Sequence, residues 1–176
     1  MIIKDIKTRI KEHFFLNPTV KIRVRQLERE VKVPLPSAIR YTKELEKEEI
    51  IKRENIGGVT FYSADRSSSP FLLGKKIFNL DQLSSSGLVQ FLIEEFGNPT
   101  IILFGSYSRG EDLERSDIDI YLESLSKKKV DLTNFEKRLH RKIQLFSYKN
   151  IHQVENKELR NNIVNGVVLN GFLEVF

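Results

Sequence analysis

Between Phe104 and Ile120 the chain reads FGSYSRGEDLERSDIDI, and this stretch holds the residues best suited to chemistry. A Gly105-Ser106 pair is followed, after ten intervening residues, by Asp117 and Asp119 in a D-x-D arrangement. Ile101, Ile102 and Leu103 precede the glycine, and Ile118 and Ile120 alternate with the aspartates. Apolar runs bounded by glycine read as buried strands, and a strand's period of two places both aspartates on one face and both isoleucines on the other. Two carboxylates near a glycine turn that opens a helix suit a hard cation such as Mg²⁺ and the phosphates of a nucleotide. A D-x-D pair alone is usually just the wet face of a strand. The whole string of strand, turn, helix and second strand is what carries the reading.

These residues resemble the nucleotidyltransferase superfamily that includes DNA polymerase beta and kanamycin nucleotidyltransferase, and are most similar to its minimal members with G-S-x10-D-x-D. Arg109 and Gly110 complete a G-S-x-x-R-G turn, and Ser116 precedes the first aspartate. The resemblance implies that Asp117 and Asp119 hold Mg²⁺, with room for two ions. It implies that Gly105, Ser106, Arg109 and Ser116 bind a nucleoside triphosphate, ATP first among them. It further implies transfer of a nucleotidyl group to a hydroxyl with release of pyrophosphate. Small members of the family resemble antitoxins that modify a helical partner of the HEPN type, which suggests a protein acceptor.

The family places a third carboxylate on a later strand, beyond a crossover helix, where it helps to activate the attacking hydroxyl. Here the helix is expected over Thr133 to Arg141 and the strand over Lys142 to Phe146, which puts Gln144 at that catalytic position. The other candidate is Asp131 in Val130-Asp131-Leu132, only twelve residues beyond Asp119. A parallel crossover needs a dozen or more residues before the next strand starts, which favours Gln144. An amide offers a carbonyl oxygen to a metal but carries no charge and accepts no proton at neutral pH.

The remaining sequence must position these groups. At 176 residues, 40% of them apolar, the chain can form one domain or two small ones with packed cores. No stretch is apolar enough to span a bilayer, and the charged start MIIKDIKTRIKEHF lacks a signal-peptide core, so a cytoplasmic protein without membrane contact is expected. The absence of cysteine excludes disulfides and thiolate zinc sites, and His13, His140 and His152 lack ligand spacing. The net charge of +5 is concentrated early, with 14 Lys/Arg against 10 Asp/Glu in residues 1–65.

That first third carries Ile3, Ile6, Ile10 and Phe14 at helical spacing, then a short strand candidate at Lys21 to Val24 and a second helix over Arg25 to Val33. A third helix is expected over Ser37 to Glu49, with Ser37 as N-cap and a buried stripe of Ala38, Tyr41 or Thr42, and Leu45. Two β-rich runs around Gly57-Gly58 make a hairpin. This order resembles the winged helix-turn-helix domains of bacterial and archaeal transcription regulators. The resemblance implies binding to double-stranded DNA as a homodimer, with the third helix in the major groove. Arg40, Lys43 and Lys47, off the apolar stripe, would face the groove, and Arg53 would reach phosphate from the wing. Glu44, Glu46, Glu48 and Glu49 on the same helix equally suit a solvated face of ion pairs on an interaction module.

The expected fold class is therefore α/β (α+β): a winged helix-turn-helix over residues 1–65, a connector and helix over 66–86, and a nucleotidyltransferase-type mixed sheet with flanking helices over 87–176. Ser84 to Gly87 is expected to separate the connecting helix from a helix at Leu88 to Phe96. Lys127-Lys128-Lys129 reads as a solvated loop, and the apolar tail from Val167 to Phe176 packs either on its own domain or on a second subunit. Two functions follow: an Mg²⁺-dependent nucleotidyltransferase, or a DNA-binding regulator whose second domain is catalytically degenerate at Gln144 and serves as sensor or docking module.

Overall fold

The computed structural model describes residues 5–126 and 128–175. Ile3, Lys127 and Phe176 lie outside the described residues. The chain divides into two compact units, residues 1–78 and 79–176, and the division falls inside the stretch read as a connector.

The first unit has three helices, α1 (Ile6–Leu16), α2 (Val24–Val31) and α3 (Leu35–Lys47), followed by strands β1 (Ile51–Ile56) and β2 (Val59–Ala64). Asp5 caps α1 by accepting the Thr8 N–H at 2.9 Å. Ile10, Phe14 and Phe15 of α1 meet Leu27, Ala38, Leu45, Ile51 and Tyr62 in one apolar core. Gly57 and Gly58 both take positive φ, 58° and 77°, in a two-residue turn that closes the hairpin with Ile56 opposite Val59.

Two local expectations are corrected here. The strand at Lys21 to Val24 shrinks to one bridge, Ile22 to Tyr62, because the chain turns into α2 at Val24. The third helix starts at Leu35 with Pro34, not Ser37, as its N-cap residue. Proline's fixed φ and missing N–H suit a helical first turn, so Pro36 enters the helix rather than delaying it. Thr42, not Tyr41, completes the buried stripe, and its hydroxyl donates to the Ala38 carbonyl at 2.8 Å.

Helix α4 (Ser69–Ser86) runs through the serine cluster, and Gly87 at φ 80° breaks it from α5 (Leu88–Phe96). The second unit continues with β3 (Thr100–Phe104), α6 (Gly105–Arg109), β4 (Ile118–Glu123), α7 (Thr133–Leu139), β5 (Ile143–Tyr148), a 3-10 turn at Ile151–Gln153, α8 (Lys157–Val164) and β6 (Val167–Asn170). The sheet order is β5-β4-β3-β6; β3 is antiparallel to both neighbours, while β4 and β5 are parallel and joined through α7. This is the mixed sheet with flanking helices expected from the sequence.

Both faces of the sheet are covered, which is why Ile101 to Phe104 reads as a continuous apolar run. Ile101, Leu103, Ile118, Ile120 and Leu122 pack with Leu88 and Leu92 of α5 and Leu139 of α7. Ile102, Phe104 and Tyr121 pack on the opposite side with Ile151, Val154 and Ile163. The apolar tail joins its own domain over Val167–Asn170, pairing Val168 with Ile102 and Val167 with Leu103. Among the described residues no helix is long and apolar enough to cross a membrane.

Candidate functional site

Three neighbouring strands bring the motif together at one end of the sheet. In register, Phe104 on β3 pairs with Asp119 on β4, and Asp119 pairs with Gln144 on β5. Asp119 thus stands between the strand that delivers the Gly-Ser turn and the strand that delivers the amide. The alternation along β4 buries Ile118 and Ile120 completely and leaves Asp117 and Asp119 half-buried on the other face.

Gly105 turns the chain from β3 into α6 with φ +76°, a region that costs an L-residue about 1–2 kcal/mol. A methyl group there would lie 2.3 Å from Asp119 Oδ2. Glycine therefore serves twice, permitting the turn and letting the carboxylate rest against its backbone. Ser106 follows half-buried, with its carbonyl accepting the Glu111 N–H at 3.0 Å.

Burial, and next the charge of Asp117, raise the pKa of Asp119 above its ordinary value. Asp117 has a different neighbour, since Gln144 Nε2 donates to its Oδ2 at 2.5 Å. Asp131, the other candidate for the third acid, accepts the Thr133 N–H at 2.9 Å and so serves the start of α7. Two further residues acquire partners that the sequence did not reveal. Arg109 Nε lies 2.7 Å from Glu111 Oε2 with both side chains 48% exposed, a surface pair worth about 0–1 kcal/mol that gives way readily to an anion. Ser116 Oγ accepts the Leu113 N–H at 2.9 Å, closing the turn before β4.

Sequence reasoning missed the groups that hold this end of the sheet. Asp112, 1% exposed, accepts a hydrogen bond from Asn79 Nδ2 at 2.7 Å and lies 3.6 Å from the guanidinium of Arg141. The same Asn79 amide donates to the Tyr107 carbonyl at 2.9 Å. These contacts tie the loop after Gly110 to the residue that leads into β5. Glu136 of α7 adds a second tie, accepting from Ile143 N at 3.1 Å and from Lys142 Nζ at 2.8 Å. An aspartate beside Glu111 in a charged loop reads as solvated, so only the fold exposes its burial. A cavity of about 480 Å³ opens beside Ser116 and Asp117, lined on its far side by Lys137, His140, Arg141 and Lys142.

The donor set fits a hard divalent cation. Asp117 and Asp119 supply carboxylate oxygen, and phosphate oxygens and water suit the remaining positions around Mg²⁺. Burial disfavours the second negative charge of the pair, and a cation relieves that penalty. Among the described residues no group of three or more His, Cys, Asp or Glu gathers for a metal, so any ion here rests on two carboxylates.

In the first unit, Arg40, Lys43 and Lys47 are all exposed on α3. Arg40 lies over the Tyr41 ring at 4.3 Å and 3.5 Å from Glu44 Oε1, and Arg53 on β1 lies 3.4 Å from Glu46 Oε1. Lys7 of α1 reaches both Glu44 and Glu48, at 3.1 and 2.5 Å. The helix ends at Lys47, short of the expected Glu49, so Glu44 and Glu46 lie on it and Glu48 is its C-cap residue; all three are matched by cations.

A family model described as nucleotidyltransferase domain matches residues 85–170. That span contains the whole four-stranded sheet, with Gly105, Ser106, Asp117, Asp119 and Gln144, and none of the first unit. No curated protein matches the chain.

Proposed function

We propose that the second unit binds a nucleoside triphosphate with Mg²⁺ at Asp117 and Asp119 and transfers its nucleotidyl group to a hydroxyl, while the first unit binds double-stranded DNA. The observation that carries the first half is the register that sets the Gly105 turn, Asp119 and Gln144 side by side. In this reading Gly105 and Ser106 receive the phosphates, with Arg109 and Ser116 alongside. The cation would neutralise charge on the triphosphate. The acceptor hydroxyl oxygen bonds to the α-phosphorus, the bond to the β-phosphate oxygen breaks, pyrophosphate leaves and the hydroxyl proton passes to water. A helical protein of the HEPN type is the acceptor class to try first.

Calorimetric titration of Mg·ATP into the wild-type protein tests this, with Asp119→Ala as control. Metal-dependent binding that disappears in the control supports the reading. Absence of binding for ATP and for the other triphosphates defeats it.

The Gln144–Asp117 hydrogen bond favours a second reading, a DNA-binding regulator whose nucleotide site senses rather than transfers. Gln144, at the position where the resemblance would put the proton-accepting acid, is a donor already committed to Asp117. In both readings the first unit is a winged helix-turn-helix: three helices, a hairpin, and basic side chains exposed on the third helix. Homodimerisation would set two such helices on a two-fold symmetric site. Replacing Arg40 and Lys43 with alanine should weaken DNA binding and flatten its salt dependence. Wild-type protein without salt-dependent DNA affinity would leave the first unit as an interaction module.

A further inference from the structure

We infer that Gln144 makes this a one-cation site: the nucleotide binds with a single divalent ion, and no second ion enters while the amide holds Asp117. This rests on the nucleotide-binding reading above and sharpens it. It departs from the room for two ions that the D-x-D resemblance implies.

Three observations lead there. Gln144 is the Cα partner of Asp119 on the adjacent parallel strand, so its side chain is placed by the sheet rather than by a mobile loop. Its Nε2 sits 2.5 Å from Asp117 Oδ2, directing N–H at an oxygen that a second cation would require. Among the described residues no third His, Cys, Asp or Glu joins the pair.

A carboxylate that bridges two cations must turn lone pairs of both oxygens toward metal. Here one oxygen of Asp117 accepts an amide hydrogen, and the amide's own oxygen is turned away from that contact. Presenting the oxygen instead means rotating the carboxamide and breaking the bond. Charge acts in the same direction. Two carboxylates are neutralised by one divalent cation, whereas a second ion would face a neutral amide where an acid would have balanced it.

The backbone that positions Gln144 makes the arrangement durable. Glu136 accepts the N–H of Ile143, the residue just before it, and the largely covered side chain of Arg141 is held at Asp112. These contacts fix the backbone of Gln144 at the level of Asp117.

The test counts ions. Wild-type protein, Gln144→Asp and Asp119→Ala are titrated with Mn²⁺ in the presence of an ATP analogue whose α–β bridge is not cleavable. Free Mn²⁺ is followed by its paramagnetic resonance signal and nucleotide by calorimetry. The expected result is one Mn²⁺ per chain for wild type, two for Gln144→Asp, and at least tenfold weaker Mn²⁺ and nucleotide binding for Asp119→Ala. Two ions in the wild-type protein overturn the one-cation inference while leaving the nucleotide site standing. Binding of neither Mn²⁺ nor nucleotide overturns the underlying reading, and the inference falls with it. Should Gln144→Asp not fold, the wild-type count decides alone.

Discussion

Replacing Gly105 with alanine separates two roles that coincide at one residue, and Gly87 provides the control. Both glycines sit in the second unit at nearly the same positive φ, +76° and +80°. Alanine at either pays the left-handed penalty of about 1–2 kcal/mol. For a unit of this size each kcal/mol shifts Tm by about 4–8 °C, so both variants should lose about 4–16 °C. Their surroundings differ. The added methyl at Gly87 meets nothing within 4 Å, whereas at Gly105 it lies 2.3 Å from Asp119 Oδ2 and 3.3 Å from Asp119 Cγ. The carboxylate must then withdraw by roughly 1 Å, a displacement able to cost about a hundredfold where geometry matters.

Thermal melts and Mg·ATP calorimetry on both variants therefore make a paired comparison. Both should melt early, and only Gly105→Ala should lose Mg·ATP affinity, by tenfold or more. Equal nucleotide affinity in the two variants would refute the idea that contact with the Gly105 backbone holds Asp119 in place. A loss of affinity in both would mean that backbone strain alone disturbs the site.

Three other outcomes follow from the same contacts. Asp119 has its pKa raised by burial and by Asp117, so the folded state is favoured at acid pH and loses that advantage as pH climbs above the ordinary 3.8 through the raised value. Asp119→Asn cannot ionise, so in chelator its stability relative to wild type should increase with pH across that window; a pH-independent gap in urea denaturation would contradict this. Asp112→Ala leaves the Arg141 guanidinium, on a side chain 8% exposed, without its carboxylate, and should cost about 3–5 kcal/mol, with Asp112→Asn costing less because the bond from Asn79 survives. A loss under about 0.5 kcal/mol in urea melts would show that this pair is idle. Gln144→Asp exchanges a hydrogen-bond donor for a like charge beside Asp117, so metal-free stability should fall by about 0.5–1.5 kcal/mol and return when Mn²⁺ is added. Unchanged metal-free melting would place the two side chains apart in solution.

Much of the second unit is legible because its signals are local. The apolar run into Gly105 and the alternation at Ile118 and Ile120 each specify a strand within a few residues. Crossover length alone places β5, because a parallel neighbour cannot follow β4 without a helix between them. What stays hidden depends on distant partners. Val167 to Leu169 look the same whether they cover a helix, meet another subunit or pair with β3, and the choice is made by Ile102 and Leu103 some sixty residues earlier. The burial of Asp112 is set by Asn79 and Arg141 and leaves no trace among its own neighbours. The start of α3 lies at Leu35 rather than Ser37 because Pro34 and Pro36 form the opening of that helix.

The distribution of these supports bears on the activity proposed for the second unit. A carboxylate penalised by burial and by a like charge beside it, as Asp119 is, is a liability for a domain kept only as scaffold, and a neutral residue there would relieve it. Here the pair is held in place instead. Gly105 accepts a left-handed turn so that Asp119 can rest against its backbone, and the Asn79–Asp112–Arg141 and Glu136 contacts fix the strand carrying Gln144. In the proposed reading such devices serve a ligand that brings positive charge to Asp117 and Asp119. Gln144, by contrast, is the one member of the cluster unable to take a proton from an acceptor. If the proposed reading holds, cation and nucleotide affinity should outlast turnover in any variant that spares Gly105, Asp117 and Asp119.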